Sequence, residues 1–271
     1  MSAGVIARTL RGFSQALEQT LAAESTARER GLMQALDPRV KLLGVLALVL
    51  AVALSHRLAV LAALFLLAVA LAVLSQLSLR SMARRVWLLA FVFTFMIAAP
   101  ALFLTPGEAL YHLPLGSLSI TVQGARAGSL LMARVETAVT LSALLVLTTP
   151  WMHLLKALRT LLVPVEVILL LAMTHRYLML LAETANQMFE SRQSRTVGRM
   201  SRSQQRRLMV NSGGVLLSKT LEMGNEVHWA MQARGFHGEV RLLDEFRLRG
   251  RDYVALCGFA AAVAAAVVAG R

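Results

Sequence analysis

The octapeptide GGVLLSKT, Gly213 to Thr220, stops one residue short of a phosphate-binding loop. Gly213 is followed after four residues by Ser218, Lys219 and Thr220, where such a loop carries glycine, lysine and a hydroxyl residue. Glycine at the position of Ser218 is what would let successive backbone N–H groups wrap a phosphate, and a strand should lead into the turn. The sequence supplies neither, and the stretch falls inside a helical pattern, so this chain is not expected to bind or hydrolyse ATP. Metal chemistry finds no better footing. His56, His112, His153, His175, His228 and His237 lie in separate segments without paired spacing, whereas a metal site needs several nitrogen, sulfur or carboxylate ligands converging. GARAG, Gly124 to Gly128, shares its composition with fragments of membrane lipid-transferase motifs, but the aspartates of metal-dependent transfer are missing around it. Arg134 and Glu136 stand two apart in an apolar run and do not face each other on a helix; they mark a packed polar site or pathway in the membrane, or lie at its interface.

Two other arginines occupy positions with a clearer logic. Tyr177, Leu181, Thr184, Met188, Ser191 and Arg195 recur at steps of four and three, and so do Met209, Leu216, Met223, Val227, Ala230 and Arg234 in multiples of that spacing. Each series predicts an amphipathic helix ending in an arginine on its own stripe, and Gly235 supplies a stop for the second. Pro164 fits a first helical turn, and no proline follows it, so both helices can be long. A cation at a helix C-terminus gains about 0.3 to 1 kcal/mol from the helix dipole, which accounts for either arginine alone. The pairing of two such ends points further, to docking of a partner, because guanidinium groups make bidentate, geometrically specific contacts with carboxylates and helix-end carbonyls. Methionines on the stripes suit a surface that repacks, and equally suit ordinary helix packing.

The elements that must position these ends are membrane spans. Hydrophobic residues make up 57% of the 271 and charged residues 16%, with the apolar ones gathered in blocks. Basic residues outnumber acidic by 28 to 15, a net charge of +13, and they sit between the blocks, as cytoplasmic loops carry them; orientation in a bilayer accounts for them and nucleic-acid binding does not. Cys257 is the single cysteine, so there is no internal disulfide, and it reads as a small packed residue in an apolar run. Residues 1–39 contain Arg8, Arg11, Arg28 and Arg30 but no apolar core with a cleavage site. They read as a cytoplasmic lead-in with Leu10, Phe13, Leu17 and Leu21 at helical spacing, and not as a secretory signal.

Val40 to Leu79 is almost wholly apolar and is interrupted in its middle by Ser55, His56 and Arg57. A single helix of that length would run about 60 Å, twice the roughly 30 Å hydrocarbon core, so the block must be a hairpin of two spans. Further spans are expected over Val86 to Leu104, about Leu130 to Thr149, and Tyr253 to Ala269. Leu161 to Leu181 is apolar enough to cross, but crossing would put the arginine-rich SRQSRTVGRMSRSQQRR, Ser191 to Arg207, outside, so it is placed at or partly within the inner face. The expected fold is an all-α integral membrane protein with about five transmembrane helices and long cytoplasmic amphipathic helices. Its single membrane domain divides into a cytoplasmic N-terminal segment 1–39, four spans over 40–150, cytoplasmic or interfacial helices over 151–251, and a last span over 252–271, with the N-terminus inside and the C-terminus outside.

Three stretches carry a family likeness. LDPRVKLLG, Leu36 to Gly44, precedes the first span; LTTPWMHLLKALRTLLVPVEVILLLAMTHRYLMLLAETANQM runs from Leu147 to Met188; and AMQARGF spans Ala230 to Phe236. In this order, over roughly Met33 to the C-terminus, the chain resembles the transmembrane T component of energy-coupling factor transporters, particularly the CbiQ type serving cobalt or nickel uptake. Ala233, Arg234 and Gly235 match the second of the family's two Ala-Arg-Gly motifs. At the first, this sequence has Ser194, Arg195 and Thr196, keeping the arginine but not its small neighbours, with Arg192 one turn away. The resemblance implies a non-catalytic subunit of a bacterial inner-membrane ATP-binding-cassette importer. Two cytoplasmic ATPase subunits, which bind the ATP and magnesium, would dock on the two motifs, and their closure would move the coupling helices. A separate substrate-binding membrane subunit, CbiM-like, would ride on this chain and release cargo inward, with no cofactor or metal held here. For LDPRVK, helix-start chemistry suffices: Asp37 as N-cap, Pro38 at the first position, Arg39 and Lys41 at the membrane boundary. The alternatives are a self-contained secondary transporter, which should show pseudo-symmetric halves that the sequence lacks, and a membrane-bound transferase.

Overall fold

The computed structural model describes residues 27, 31–104, 109–112, 119–195, 201–236 and 249–270. The amphipathic lead-in with Leu10, Phe13, Leu17 and Leu21 lies outside them. The first apolar block forms two helices. Helix α1, Pro38–Leu54, starts where Asp37 accepts a hydrogen bond from the Arg39 N–H at 2.9 Å, with Pro38 in the first turn. It ends at Ser55, whose backbone is extended, and α2, Leu58–Leu74, runs back. The break falls at Ser55 to Arg57, as span length demands. The C-terminus of α2 is closed from the other side of α1: Met33 N–H donates to Ser75 Oγ, Gln34 Nε2 to the Ser75 carbonyl, and Leu32 N–H to the Leu74 carbonyl.

A short helix α3, Leu79–Met82, passes through one π-helical turn, Ala83–Trp87, into α4, Leu88–Leu104, which carries Pro100. The turn sets Trp87 against two neighbours. Its indole N–H donates to Thr140 Oγ1 at 3.0 Å, and its ring packs on Phe65 with centroids 5.6 Å apart. Two short antiparallel strands, β1 (Ala109–His112) and β2 (Ser119–Thr121), lead into α5, Val122–Thr148. This helix starts earlier than the expected Leu130, because Thr121 caps it by accepting from the Gly124 N–H. GARAG is therefore a first turn of helix, with Gly124 and Gly128 buried, and the apolar run marks only where hydropathy begins. Helix α6, Trp151–Leu158, follows Pro150; α7, Val165–Ser194, follows Pro164; α8, Arg202–Ala233, opens on a capping box between Ser201 and Gln204; and α9 is Gly250–Gly270.

The chain divides into two compact units, one from Glu24–Ala157 with Phe246–Arg271 and one containing Leu158–Glu245. In the first, α5 is the central helix, with α1, α2 and α4 packed on it, and α9 packs on α1. Val45, Leu48, Val52, Leu61, Leu141 and Leu144 form its core. Helix α9 lies on α1 along its length. Phe259 sits over Gly44, where a Cβ would come within 2.5 Å of the ring, and the His56 N–H donates to the Gly270 carbonyl at the far end. Outward, α4 presents Leu89, Phe91, Phe93, Phe95 and Met96 to the surroundings, a composition suited to lipid. In the second unit α7 and α8 touch over a short stretch, and Ser212 is the one fully buried side chain of α8 among the described residues. Three helices, Val122–Thr148, Val165–Ser191 and Gly250–Gly270, are long and apolar enough to cross a bilayer, and Leu58–Leu74 and Leu88–Pro100 are shorter apolar helices. The architecture is that of an all-α membrane protein.

Candidate functional site

The two candidate docking ends are the C-termini of α7 and α8. At the end of α8 the backbone closes in a Schellman turn: the Gly235 N–H donates to the Gln232 carbonyl at 2.9 Å and the Phe236 N–H to the Met231 carbonyl at 3.1 Å. This geometry requires the positive φ of +72° that Gly235 adopts. Ala233 is the last helical residue, and Arg234 is the C-cap with its side chain exposed. At the end of α7, Ser194 is the last helical residue, its Oγ donating to the Ser191 carbonyl at 3.0 Å, and Arg195 is exposed in the turn that follows. Thr196 lies outside the described residues. Both arginines thus stand free of their helix bodies, each at a terminus whose carbonyls present the negative end of a dipole.

The stripes beneath them differ in one respect from the expectation. Met209, Leu216, Met223 and Val227 are half-buried along α8, but Ala230 and Arg234 are exposed, and Met231 takes over the half-buried position. On α7, Tyr177, Leu181, Thr184 and Met188 are half-buried, while Ala182 and Ala185 are buried and Ser191 and Arg195 are exposed. Tyr177 and Arg195 are 18 residues apart, as are Leu216 and Arg234, which is about five full turns at 3.6 residues per turn, so both arginines stay in line with their stripes. They are exposed because each stands just past the last helical residue, and not because it has left the face of the stripe. The stretch Gly213 to Thr220 is continuous helix, with Lys219 exposed and Thr220 Oγ1 bonded back to the Leu216 carbonyl, so its backbone N–H groups are used within α8. Among the described residues no three histidine, cysteine, aspartate or glutamate side chains are grouped as a metal would need.

The buried polar chemistry lies in the other unit, at the two ends of the antiparallel pair α1 and α5. Lys41, 1% exposed, donates from Nζ to the carbonyl of Thr148, the last residue of α5. At the opposite end Arg134 of α5 donates from Nη2 to the carbonyl of Ser55, the C-cap of α1, at 2.7 Å. Each helix thus supplies a cation to the partially negative C-terminus of the other, where such charge is favoured. Arg134 is accordingly a packed polar residue. Glu136 is different: both carboxylate oxygens are enclosed and neither has a hydrogen-bond partner. Asp252, 2% exposed, accepts from the Asp37 N–H through Oδ1 at 2.9 Å and from the Arg249 N–H through Oδ2 at 2.7 Å, so one carboxylate closes the starts of both α1 and α9. LDPRVK is thus held by long-range as well as local bonds. Asp252 was legible as an acidic residue in the first turn of the last span; its bond to Asp37, far away in sequence, was not.

A family model described as CbiQ, cobalt transport protein, matches residues 30–243. Over 248 residues the chain is 28% identical to an uncharacterized protein of Methanocaldococcus jannaschii, covering 90% of this chain and 85% of that one. Over 146 residues it is 30% identical to the cobalt transport protein CbiQ of Rhodobacter capsulatus, covering 53% of this chain and 59% of the relative.

Proposed function

The chain belongs to the CbiQ cobalt transport protein family, and we propose that within such a transporter it is the energy-coupling transmembrane component. In this reading it is a multi-pass subunit of the bacterial cytoplasmic membrane with its N-terminus inside. Two cytoplasmic ATPases, which carry ATP and magnesium, dock on the ends of α7 and α8, using Ser194, Arg195 and Thr196 on one and Ala233, Arg234 and Gly235 on the other. Their closure moves the two helices, and the motion passes to a CbiM-like substrate-binding membrane subunit that releases cobalt or nickel inward. The chain itself contributes no catalytic group.

One observation carries the reading. Arg234 is presented, exposed, at a helix end locked by a Schellman turn, so its backbone is fixed before any partner arrives and little conformational entropy is lost on docking. A contact area that moves levers must be stiff, and a glycine-closed helix end is stiff. The shallow contact between α7 and α8 leaves both helices room to change their mutual angle.

The test is affinity purification of the chain from its native membrane, followed by identification of what accompanies it. Two ATPases and a small membrane subunit are expected. Changing Arg195→Ala and Arg234→Ala together should strip the ATPases and abolish uptake while the chain still inserts. Truncating one member of a desolvated charged pair costs on the order of 2 to 5 kcal/mol, against a few tenths for a solvated helix-end cation. Metal uptake or turnover by the purified chain alone would overturn the coupling reading in favour of a self-contained transporter or a transferase.

A further inference from the structure

The segment Leu158–Glu245 is inserted into the membrane unit, which resumes at Phe246. The chain leaves the bundle through α6, which follows the C-terminus of α5 and belongs to the bundle as far as Ala157, and it rejoins the bundle just before the N-terminus of α9, so the end of α5 with α6 on one side and the start of α9 on the other are the two roots through which anything done to the inserted segment reaches the bundle. Both roots are held by the same turn of the same helix. Lys41 Nζ holds the Thr148 carbonyl at 3.1 Å, and the Asp37 N–H holds Asp252 Oδ1 at 2.9 Å. Asp37 and Lys41 are one helical turn apart, joined by the first backbone bond of α1 from the Lys41 N–H to the Asp37 carbonyl.

Capping alone does not call for this arrangement. Asp252 already closes its own helix through Oδ2 and the Arg249 N–H, and Asp37 already caps α1 through the Arg39 N–H. The bonds from Asp252 to Asp37 and from Lys41 to Thr148 span 215 and 107 residues and join different helices. They also bury two carboxylates and an amine, which an apolar contact would not require. What the buried polar set adds over apolar packing is direction: it fixes which carbonyl meets which turn and forbids sliding. Phe259 on Gly44 and the His56–Gly270 bond extend the hold from the root of α9 along its length.

We propose that Asp37, Lys41 and Asp252 form a clamp that fixes the two roots of the inserted segment to each other, so that motion of that segment is delivered to the bundle as one displacement. They are positioning residues, and the proposal rests on the coupling reading above for its use though not for its geometry. Leaving a buried carbonyl or N–H without its partner loosens the root it anchored, and a loosened root lets the segment move without carrying the bundle.

The experiment places spin labels at Met152→Cys and Arg251→Cys, exposed positions beside the two roots, in a chain with Cys257→Ser, and reads the distance between them in the full complex in membranes. The unmutated chain should give one narrow distribution. Lys41→Met should broaden it, with uptake falling about tenfold, the factor expected for one buried charge-assisted hydrogen bond, while ATPase association and hydrolysis persist. Lys41→Arg, which keeps a donor, should restore most of both. Asp252→Asn, which keeps an acceptor for the Asp37 N–H, is the milder variant if Lys41→Met does not insert, and it should broaden the distribution by less. A narrow distribution in the variants, or a broad one with undiminished uptake, overturns the clamp. The distance is read without ATP as well, so a chain that takes no part in ATP-driven uptake removes the coupling reading and leaves the clamp's geometry independently decided.

Discussion

At the scale of single residues the membrane unit sets charged groups that are partnered against a carboxylate that is not. Arg134 is committed to the end of α1 and Lys41 to the end of α5, whereas Glu136 sits on the same helix as Arg134 with both oxygens enclosed and unpartnered. A buried polar group without a partner costs about 1 to 3 kcal/mol relative to a shape-matched apolar one. Glu136→Met should therefore stabilise the purified chain, seen as a higher unfolding midpoint in detergent, and Glu136→Gln should gain less, since its amide stays unpaired. A lower midpoint for Glu136→Met would mean that the carboxylate is satisfied. Trp87 predicts the opposite direction. Its N–H donates to Thr140 Oγ1 while its ring packs on Phe65, so Trp87→Phe keeps an aromatic ring but loses the hydrogen bond and part of the packing, for a loss of at least about 1 kcal/mol in the same assay.

At the scale of elements, two glycines decide how helices end and how closely they approach. Gly235 holds φ +72° with open space around it, so a larger residue there meets no atom and is penalised by backbone conformation alone. The left-handed region costs an L-residue about 1 to 2 kcal/mol, and a β-branched residue is the poorest fit. Gly235→Val should unwind the last turn of α8 and weaken ATPase co-purification, while Gly235→Asn should retain more; equal co-purification of both with the unmutated chain would show that the turn is not what the partner reads. Gly44 presents the reverse case, ordinary in backbone and crowded by Phe259. Gly44→Ala should destabilise the pairing of α1 with α9 by about 1 to 3 kcal/mol, and adding Phe259→Ala should recover part of that, a coupling readable in a double-mutant cycle. These contrasts also mark what was legible in sequence. The hairpin broken at Ser55, the cap at Asp37 and the stop at Gly235 are local chemistry, written in adjacent residues. The start of α5 was hidden because Thr121 and two glycines are not apolar, and the exposure of Ala230 and Arg234 because periodicity gives the face a residue is on and not whether anything packs against it there. The clamp and the reciprocal capping of α1 and α5 join residues far apart in sequence, and no spacing rule reaches them.

At the scale of the whole molecule the open decision is on which side of the bilayer the inserted segment lies. Length and composition put Val165–Ser191 among the helices able to cross, and charge argues against it. Six arginines stand between Ser191 and Arg207, and Lys and Arg are retained on the cytoplasmic side, where anionic lipid favours each by about 1 kcal/mol near the surface. Crossing would carry all six outward; a helix at the inner face keeps them in. The remaining helices leave no such conflict. The starts of α1 and α9 and the end of α5 meet at Asp37, Asp252 and Thr148, so these helices share one membrane side there, and the Ser55 turn meets Gly270 at the opposite end. If the N-terminus is inside, the Asp37 end is the cytoplasmic one, and both roots of the inserted segment emerge there. A segment whose two roots lie on one side crosses an even number of times, so α7 could cross only if α8 or a neighbouring stretch crossed back. Helix α8 is a poor candidate for that, since it is not among the helices apolar enough to cross. Ser203 lies near the start of α8 and is exposed. A cysteine there, with Cys257→Ser, should resist an impermeant thiol reagent in intact cells and react once the membrane is opened. A cysteine at His56, in the turn at the other end of the bundle, should react from outside without permeabilisation. Ready labelling at 203 in intact cells, with 56 shielded, would invert the orientation and place the arginine ends beyond the reach of any cytoplasmic ATPase; labelling at both would mean that α7 crosses.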